Sequence, residues 1–102
     1  MKIRLERSGG FTGLVVRSQV DTGTLPAEQA QALEGAIQAA GFFHLPARFP
    51  APPGGADRFQ YVLEVEDADR HHRVEMAEGA VPEELRPVIE HLMALWRKHG
   101  PG

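Results

Sequence analysis

Hydrophobic and polar residues alternate along the first part of the chain, in the pattern typical of strands that bury one face. The alternation predicts a strand over residues 2–7 and a second over residues 14–21. Residues 8–13, which include three glycines, separate the two segments. Two strands with a short glycine-rich link predict a hairpin. The inward side chains of this hairpin are predicted to be Ile3, Leu5, Leu14, Val16 and Val20.

The spacing of apolar residues then changes to a helical period. Thr24 is a predicted N-cap, with Pro26 in the first turn, and Gly41 stands where a glycine commonly follows a helix. The apolar residues within 42–45 are expected to fold back over the helix end. The apolar stripe of this helix consists of Ala30, Leu33, Ile37 and Ala40.

Residues 46–55 hold four prolines and two glycines, which exclude a helix and a central strand. Alternation resumes at Arg58 and continues after a turn at 67–70, so we expect a second hairpin. Its predicted inward side chains are Phe59, Tyr61, Leu63, Val65, His72, Val74 and Met76. A second helix is predicted from Pro82 to Gly100. Its apolar stripe consists of Leu85, Ile89, Leu92, Met93 and Trp96.

The predicted order of elements is therefore strand, strand, helix, strand, strand, helix (ββαββα). Each hairpin has one apolar face and each helix one apolar stripe. A four-stranded antiparallel sheet with two α-helices packed on one face buries all of them, which is an α+β fold. The chain has 102 residues, of which 42% are hydrophobic, so we expect a single domain over residues 1–102.

Charge and composition exclude several classes of function. The net charge of −3 argues against a surface for nucleic acid or anionic membranes, because both require clustered positive charge. The absence of cysteine excludes disulfides, thiolate zinc sites and cysteine nucleophiles. The N-terminus lacks the apolar core of a signal peptide, and we therefore expect a cytoplasmic protein.

The five histidines do not form a recognisable metal-binding pattern. His71 and His72 are adjacent on a predicted strand, so their side chains point to opposite faces. His91 and His99 are two turns apart on the last helix, and no HExxH sequence is present. We predict no metal and no cofactor.

Catalytic groupings are also missing from the sequence. Glu64, Glu66 and Glu75 fall on the outward face of the second hairpin, where Arg73 offers ordinary cross-strand ion pairs. Ser8 is not in the Gly-x-Ser-x-Gly pattern of a nucleophile elbow, and its loop lacks the Gly-Lys-Ser/Thr of a phosphate cradle. The sequence predicts a protein that is not an enzyme.

Two loops remain as candidates for a binding surface. Phe11 lies between glycines at a hairpin tip, where it either caps the core or presents an apolar anchor to a partner. The second loop contains prolines, which restrict its conformations before binding and lower the cost of ordering. Asp57 either caps a turn or approaches a charged group of the partner. The candidate residues are Ser8, Gly9, Gly10, Phe11 and Thr12 in one loop, and Pro53, Gly54, Gly55, Ala56 and Asp57 in the other.

These loop sequences resemble those of the emfourin family. The matching segments are residues 6–13, residues 52–61, Gly41 to Pro46, and the acidic hairpin before the last helix. Emfourins are small bacterial protein inhibitors of thermolysin-like zinc metallopeptidases such as protealysin. The resemblance implies active-site-directed inhibition, in which surface loops enter a cleft that favours a large apolar side chain. Phe11 or Leu14 would supply that anchor, and the inhibitor is expected to be a monomer when free.

Two other functions remain open at this point. The same loops would also suit a non-catalytic interaction module with a different protein partner. A small-molecule or metal-binding domain would have to use His71 or His72, and its stability would depend on the metal.

Overall fold

The computed structural model describes residues 1–10, 13–51, 53 and 59–99, and of His99 the backbone only. The strands are β1 (Lys2–Gly9), β2 (Val16–Asp21), β3 (Arg48–Phe49), β4 (Phe59–Asp67) and β5 (Arg70–Ala77). The α-helices are α1 (Ala27–Ala39) and α2 (Arg86–His99). Single 3-10 turns occupy Thr22–Thr24, Phe42–His44, Glu78–Ala80 and Glu83–Leu85.

The strands form one mixed sheet in the order β2-β1-β4-β5-β3. β1 pairs antiparallel with β2 and β4, and β4 pairs antiparallel with β5, so both predicted hairpins are present. The α+β class with two helices is confirmed. The prediction of four antiparallel strands was wrong, because β3 adds a fifth strand that is parallel to β5.

β3 arose within the proline-rich segment that was expected to contain no central strand. Its two residues lie between Pro46 and Pro50, which lack an N–H and cannot extend the ladder. The carbonyl of Ala47 accepts a hydrogen bond from the N–H of Glu75 at 2.8 Å. A strand at the edge of a sheet tolerates neighbouring prolines, so a two-residue strand fits between them.

The core lies between one face of the sheet and the two helices. Leu63, at the middle of β4, lies opposite Leu5 and Val74 in the strand register and is completely buried. The opposite face of the sheet carries charged side chains such as Arg4 and Glu64. The buried hydrophobic residues of the core cluster are Ile3, Leu5, Val16, Val20, Leu33, Ile37, Phe42, Leu63, Val65, Val74, Met76, Val81, Leu85, Val88, Ile89, Leu92 and Met93.

β2 begins two residues later than the sequence predicts. Its first paired residue is Val16, opposite Arg7, whereas Leu14 and Val15 precede the strand. Gly13 has φ +67°, a left-handed conformation that breaks the extended backbone expected from residue 14. Leu14 therefore does not join the buried face of the sheet, and its side chain is 46% exposed.

The ends of α1 differ in how well they were predicted. Pro26, and not Thr24, is the N-cap, while the Thr24 hydroxyl donates a hydrogen bond to the Asp21 carbonyl at 2.8 Å within the preceding turn. At the other end Gly41 adopts φ 61° and ψ 42°, the left-handed geometry expected for a glycine after a helix. Phe42 then folds back into the core, as predicted.

α2 begins at Arg86 and follows a 3-10 turn that starts after Pro82. Pro87 is the second residue of the helix, where the N–H has no intrahelical partner to lose. Leu85 and Leu92 are fully buried, while Trp96 is half-buried at the margin of the core. Within the described residues, no helix combines the length and the apolar character that crossing a membrane requires.

Candidate functional site at one end of the sheet

The strand register places the end of β1 beside the start of β4. Gly9, the last residue of β1, lies opposite Phe59, the first residue of β4. The chain therefore leaves β1 and enters β4 side by side, and we call this end of the sheet the loop end. Ser8, Gly9 and Gly10 lie there, with Ser8 half-buried and both glycines exposed.

The other predicted site residues divide between described and undescribed positions. Pro53 is an exposed turn residue, six positions before β4 begins. Phe11, Thr12, Gly54, Gly55, Ala56 and Asp57 lie outside the described residues. The choice between a core cap and a presented anchor for Phe11, and the role of Asp57, therefore remain predictions.

Position 10 requires a glycine for two reasons, its backbone conformation and the close approach of the Phe59 ring. Its φ is +84°, which side chains rarely tolerate, and a Cβ built there would lie 2.9 Å from Cε1 of Phe59. Gly9 also has a positive φ, of 95°. The glycine at position 10 thus permits a close approach of the backbone to this chain's own Phe59 ring.

Arg7 forms a second contact to the same ring. Its guanidinium carbon lies 4.3 Å from the centroid of Phe59, in a cation–π arrangement. Arg7 Nε is buried and has no hydrogen-bond partner among the described residues. Gly10, Phe59 and Arg7 therefore make a stacked support for the loop that follows β1.

Sequence reasoning had missed this support, although a signal was present. Arg7 continues the alternation of Ile3 and Leu5, and its strand partners are Val16 and Tyr61, so it occupies an inward position. A charged residue in inward register at a strand end needs a partner, and an aromatic face supplies one.

The loop end also exposes apolar surface. Leu14 is 46% exposed and Val15 is 40% exposed, and they are the exposed large hydrophobic residues of the described chain. They lie between Gly13 and the start of β2. Adjacent large apolar side chains next to glycines give a partner both a hydrophobic anchor and close access to the backbone.

The charged face of the sheet carries the outward carboxylates predicted from the sequence. Arg73 Nη1 and Arg48 Nη2 lie 3.1 and 3.2 Å from the two carboxylate oxygens of Glu75. Hydrogen bonds from Arg73 and Arg48 lower the pKa of Glu75 below its ordinary value. Glu64 lies opposite Arg73 in the register, but it forms an ion pair with Arg4 and a hydrogen bond with His71. This face is a network of ordinary ion pairs.

His71 and His72 point to opposite faces, as predicted. His71 contacts Glu64 on the charged face, while His72 Nε2 donates to the Leu45 carbonyl at 2.7 Å and meets the edge of the Phe42 ring. In residues 1–10, 13–51, 53 and 59–99, no three His, Asp or Glu side chains are grouped as metal ligands would be.

The chain is similar to a known protein family. A family model described as Emfourin matches residues 5–93, which is most of the chain. The matched range includes β1 from Leu5 onward, the loop end, both hairpins and most of α2. The chain matches no curated protein and no solved structure.

Proposed function

Because the chain belongs to the Emfourin family, whose membership suggests a metallopeptidase inhibitor, we propose that it inhibits thermolysin-like zinc metallopeptidases of the protealysin type. The inhibitor acts by occupying the active-site cleft with the loop end of its sheet. It performs no chemistry itself.

The exposed pair Leu14 and Val15 is the observation that supports this choice of surface. Burial of a leucine side chain is worth about 1.5–3 kcal/mol, so a cleft that accepts a large apolar side chain gains from covering Leu14. Because Val16 is the first residue of β2, the pair is connected directly to a rigid strand. A pre-ordered anchor loses less conformational entropy on binding than one on a free segment.

The stacked support beneath the loop favours the same surface. Gly10 rests against Phe59, which in turn contacts Arg7, so the exit from β1 is held in one direction. Inhibition by cleft blocking requires a segment that enters the cleft and stays there. A loop with a fixed exit direction meets that requirement better than a loop without internal contacts.

Titration of a thermolysin-like peptidase with the purified chain tests the proposal. We expect residual activity to fall linearly to zero near one equivalent, and inhibition to weaken as peptide substrate is raised, because both compete for the cleft. A serine peptidase of trypsin type serves as a specificity control and should keep its activity. Unchanged metallopeptidase activity at a large excess of inhibitor would contradict the proposal and favour a different protein partner.

A further inference from the structure

β2 forms an edge of the sheet with no neighbouring strand on its outer side in the described part of the chain. Thr22, just after β2, donates its N–H to the carbonyl of Met1 at 2.9 Å, on the β1 side. Because successive residues of a strand direct their N–H and C=O groups to opposite edges, Arg17, Gln19 and Asp21 direct theirs to the outer edge. These three residues can pair with another strand.

We propose that this edge binds the same edge of a second copy of the chain, in an antiparallel two-fold arrangement centred on Gln19. In this register Gln19 of each copy lies opposite Gln19 of the other, and Arg17 of each copy lies opposite Asp21 of the other. The surface is self-complementary, as a two-fold interface requires. In this arrangement the outward N–H and C=O groups of all three residues form hydrogen bonds to the other copy.

Charge complementarity selects this register over its neighbours. A two-fold axis at Ser18 or at Val20 would place Gln19 opposite Arg17 or opposite Asp21, and no opposite charges would meet. With the axis at Gln19, two Arg–Asp pairs form on the charged face of the joined sheet. Opposite charges directly across a strand pair contribute about 0.2–1 kcal/mol each.

Both charged groups are available for these pairs. The Arg17 side chain is 76% exposed, and only its Nε is engaged, with Glu6 Oε2 at 3.1 Å. The Asp21 side chain is 45% exposed. Its Oδ1 accepts a backbone hydrogen bond from Gly23 at 3.0 Å and lies 3.9 Å from the N-terminal ammonium of Met1. A guanidinium has five donors and a carboxylate has about four acceptor positions, so each can add a partner.

Helix α2 adds apolar contact beside the strand edge. An open groove of about 440 Å³ runs along β2, and Leu95 and Trp96 line its helix side. Both side chains are partly buried at the margin of the core. In the two-fold arrangement the helix layers of both copies lie on the same side of the joined sheet, so these side chains face the neighbouring copy. A three-residue strand contact alone falls short of the roughly 1,200 Å² of a stable interface. We therefore expect a dissociation constant of about 0.1 mM, so that the chain is a monomer, as the sequence predicts, at lower concentrations and a dimer only above that value.

The proposed dimer leaves the loop end free. Antiparallel pairing of the two β2 strands turns the loop ends of the two copies in opposite directions, because β2 runs from the loop end to the other end of the sheet. The paired residues are 17–21, so Leu14 and Val15 are not among them. Self-association therefore does not depend on the proposed inhibition, and each can fail without the other.

Sedimentation equilibrium of the full chain, from about 10 µM to about 1 mM, tests the proposal. We expect the average mass to rise from the 11.2 kDa of one chain towards twice that value. Arg17→Asp and Asp21→Arg should each remain at the single-chain mass, because like charges then face each other twice. An equimolar mixture of the two variants should associate as the wild type does, since each Asp meets an Arg in the mixed pair.

Arg48→Asp makes the same change in charge at the opposite edge of the sheet and should leave association unchanged. Asp21 accepts a hydrogen bond from the Gly23 N–H, so near-ultraviolet circular dichroism must show that Asp21→Arg is folded. If it is not, Arg17→Lys is compared with Arg17→Asp, and only the lysine variant should associate. A wild type that stays at the single-chain mass up to 1 mM overturns the proposal. So does an Arg17→Asp variant that associates like the wild type.

Discussion

The two ends of the sheet use the same contact in different surroundings. At the loop end, Arg7 stacks on Phe59 at 4.3 Å. At the other end, which we call the turn end, Arg70 stacks on Phe43, also at 4.3 Å. Arg70 is exposed and forms an ion pair with Asp67 at 3.1 Å.

The two ends differ in the partners of their arginine and in the apolar surface that they expose. At the turn end, a two-residue turn joins β4 to β5, and the adjacent arginine has both an aromatic ring and a carboxylate as partners. At the loop end, Arg7 Nε lacks a partner among the described residues, and Leu14 and Val15 are exposed. Exposed apolar side chains are the groups that a binding partner can cover.

The largest expected effect is the loss of stability when a core residue is truncated. It tests whether stability can be lowered without changing binding at the loop end. Leu63 is fully buried at the middle of β4, so Leu63→Ala should lower the free energy of unfolding by about 2–5 kcal/mol. Inhibition per folded molecule should stay unchanged, because no contact at the loop end is altered. Denaturant unfolding and active-site titration measure the two quantities. Gln60→Ala, at an exposed position of the same strand, should cost less than about 0.5 kcal/mol. Equal losses in both variants would contradict the assigned core.

The next effect compares the two ends in binding. Leu14→Ala should weaken inhibition by about 2 kcal/mol, or roughly thirtyfold, because an apolar anchor is lost. The melting temperature should change little, since truncating a side chain that is 46% exposed leaves no closed cavity. Asp69→Ala, at the turn end, is the matched control and should leave inhibition at the wild-type value. If the two variants inhibit equally well, the loop end is not the binding surface.

Two glycines at the loop end differ in what surrounds them. Gly10→Ala and Gly13→Ala both place a side chain at positive φ, +84° and +67°, which costs about 1–2 kcal/mol each. Only the new Cβ at residue 10 would meet a neighbour, the Phe59 ring at 2.9 Å, while residue 13 has open space within 4 Å. Gly10→Ala should therefore be less stable than Gly13→Ala by about 1 kcal/mol in urea unfolding. Equal stabilities would show that the contact to Phe59 does not constrain the loop.

The smallest effect concerns the charged face, which spans both ends. The pKa of Glu75 is lowered in the folded chain, so the ionised carboxylate stabilises the fold above its ordinary pKa of 4.5. This contribution is lost as the pH falls through the lower folded value. The stability difference between wild type and Glu75→Gln should therefore be largest near neutral pH and shrink below pH 4.5. Unfolding curves from pH 7 to pH 3 measure it, with the exposed Glu84→Gln as a control. A difference that grows on acidification would contradict the assigned ion pairs.

The two hairpins and the inner face of the sheet could be predicted from the sequence, because long alternating runs show which side chains share the buried face. Gly41 was predictable because a left-handed residue after a helix is nearly always glycine. β3 could not be predicted, since two residues between prolines carry no periodicity. The exposure of Leu14 could not be predicted, because the alternation of apolar residues includes Leu14 although pairing begins at Val16. The left-handed conformation of Gly13, which the sequence does not show, ends the strand there.

The glycine-rich segment after β1 was predictable from the sequence, whereas the contacts at the loop end were not. Glycines between two strands indicate a loop, and the pairing of Gly9 with Phe59 places that loop beside the start of β4. The stack of Arg7 on Phe59 joins residues that are 52 positions apart, and no local pattern reports such a contact. It follows from the register of β1 against β4, which the sequence left undetermined.

Nuclear magnetic resonance of the ¹⁵N-labelled chain, with and without an unlabelled thermolysin-like peptidase, shows directly whether the loop end is the surface that binds the peptidase. We expect the amide signals of residues 8–10, Leu14, Val15 and Phe59 to shift or broaden at one equivalent. The signals of 22–24 and 68–70, at the turn end, should keep their positions relative to the rest of the bound chain. Changes centred on the turn end, with the loop-end signals unaffected, would contradict the account.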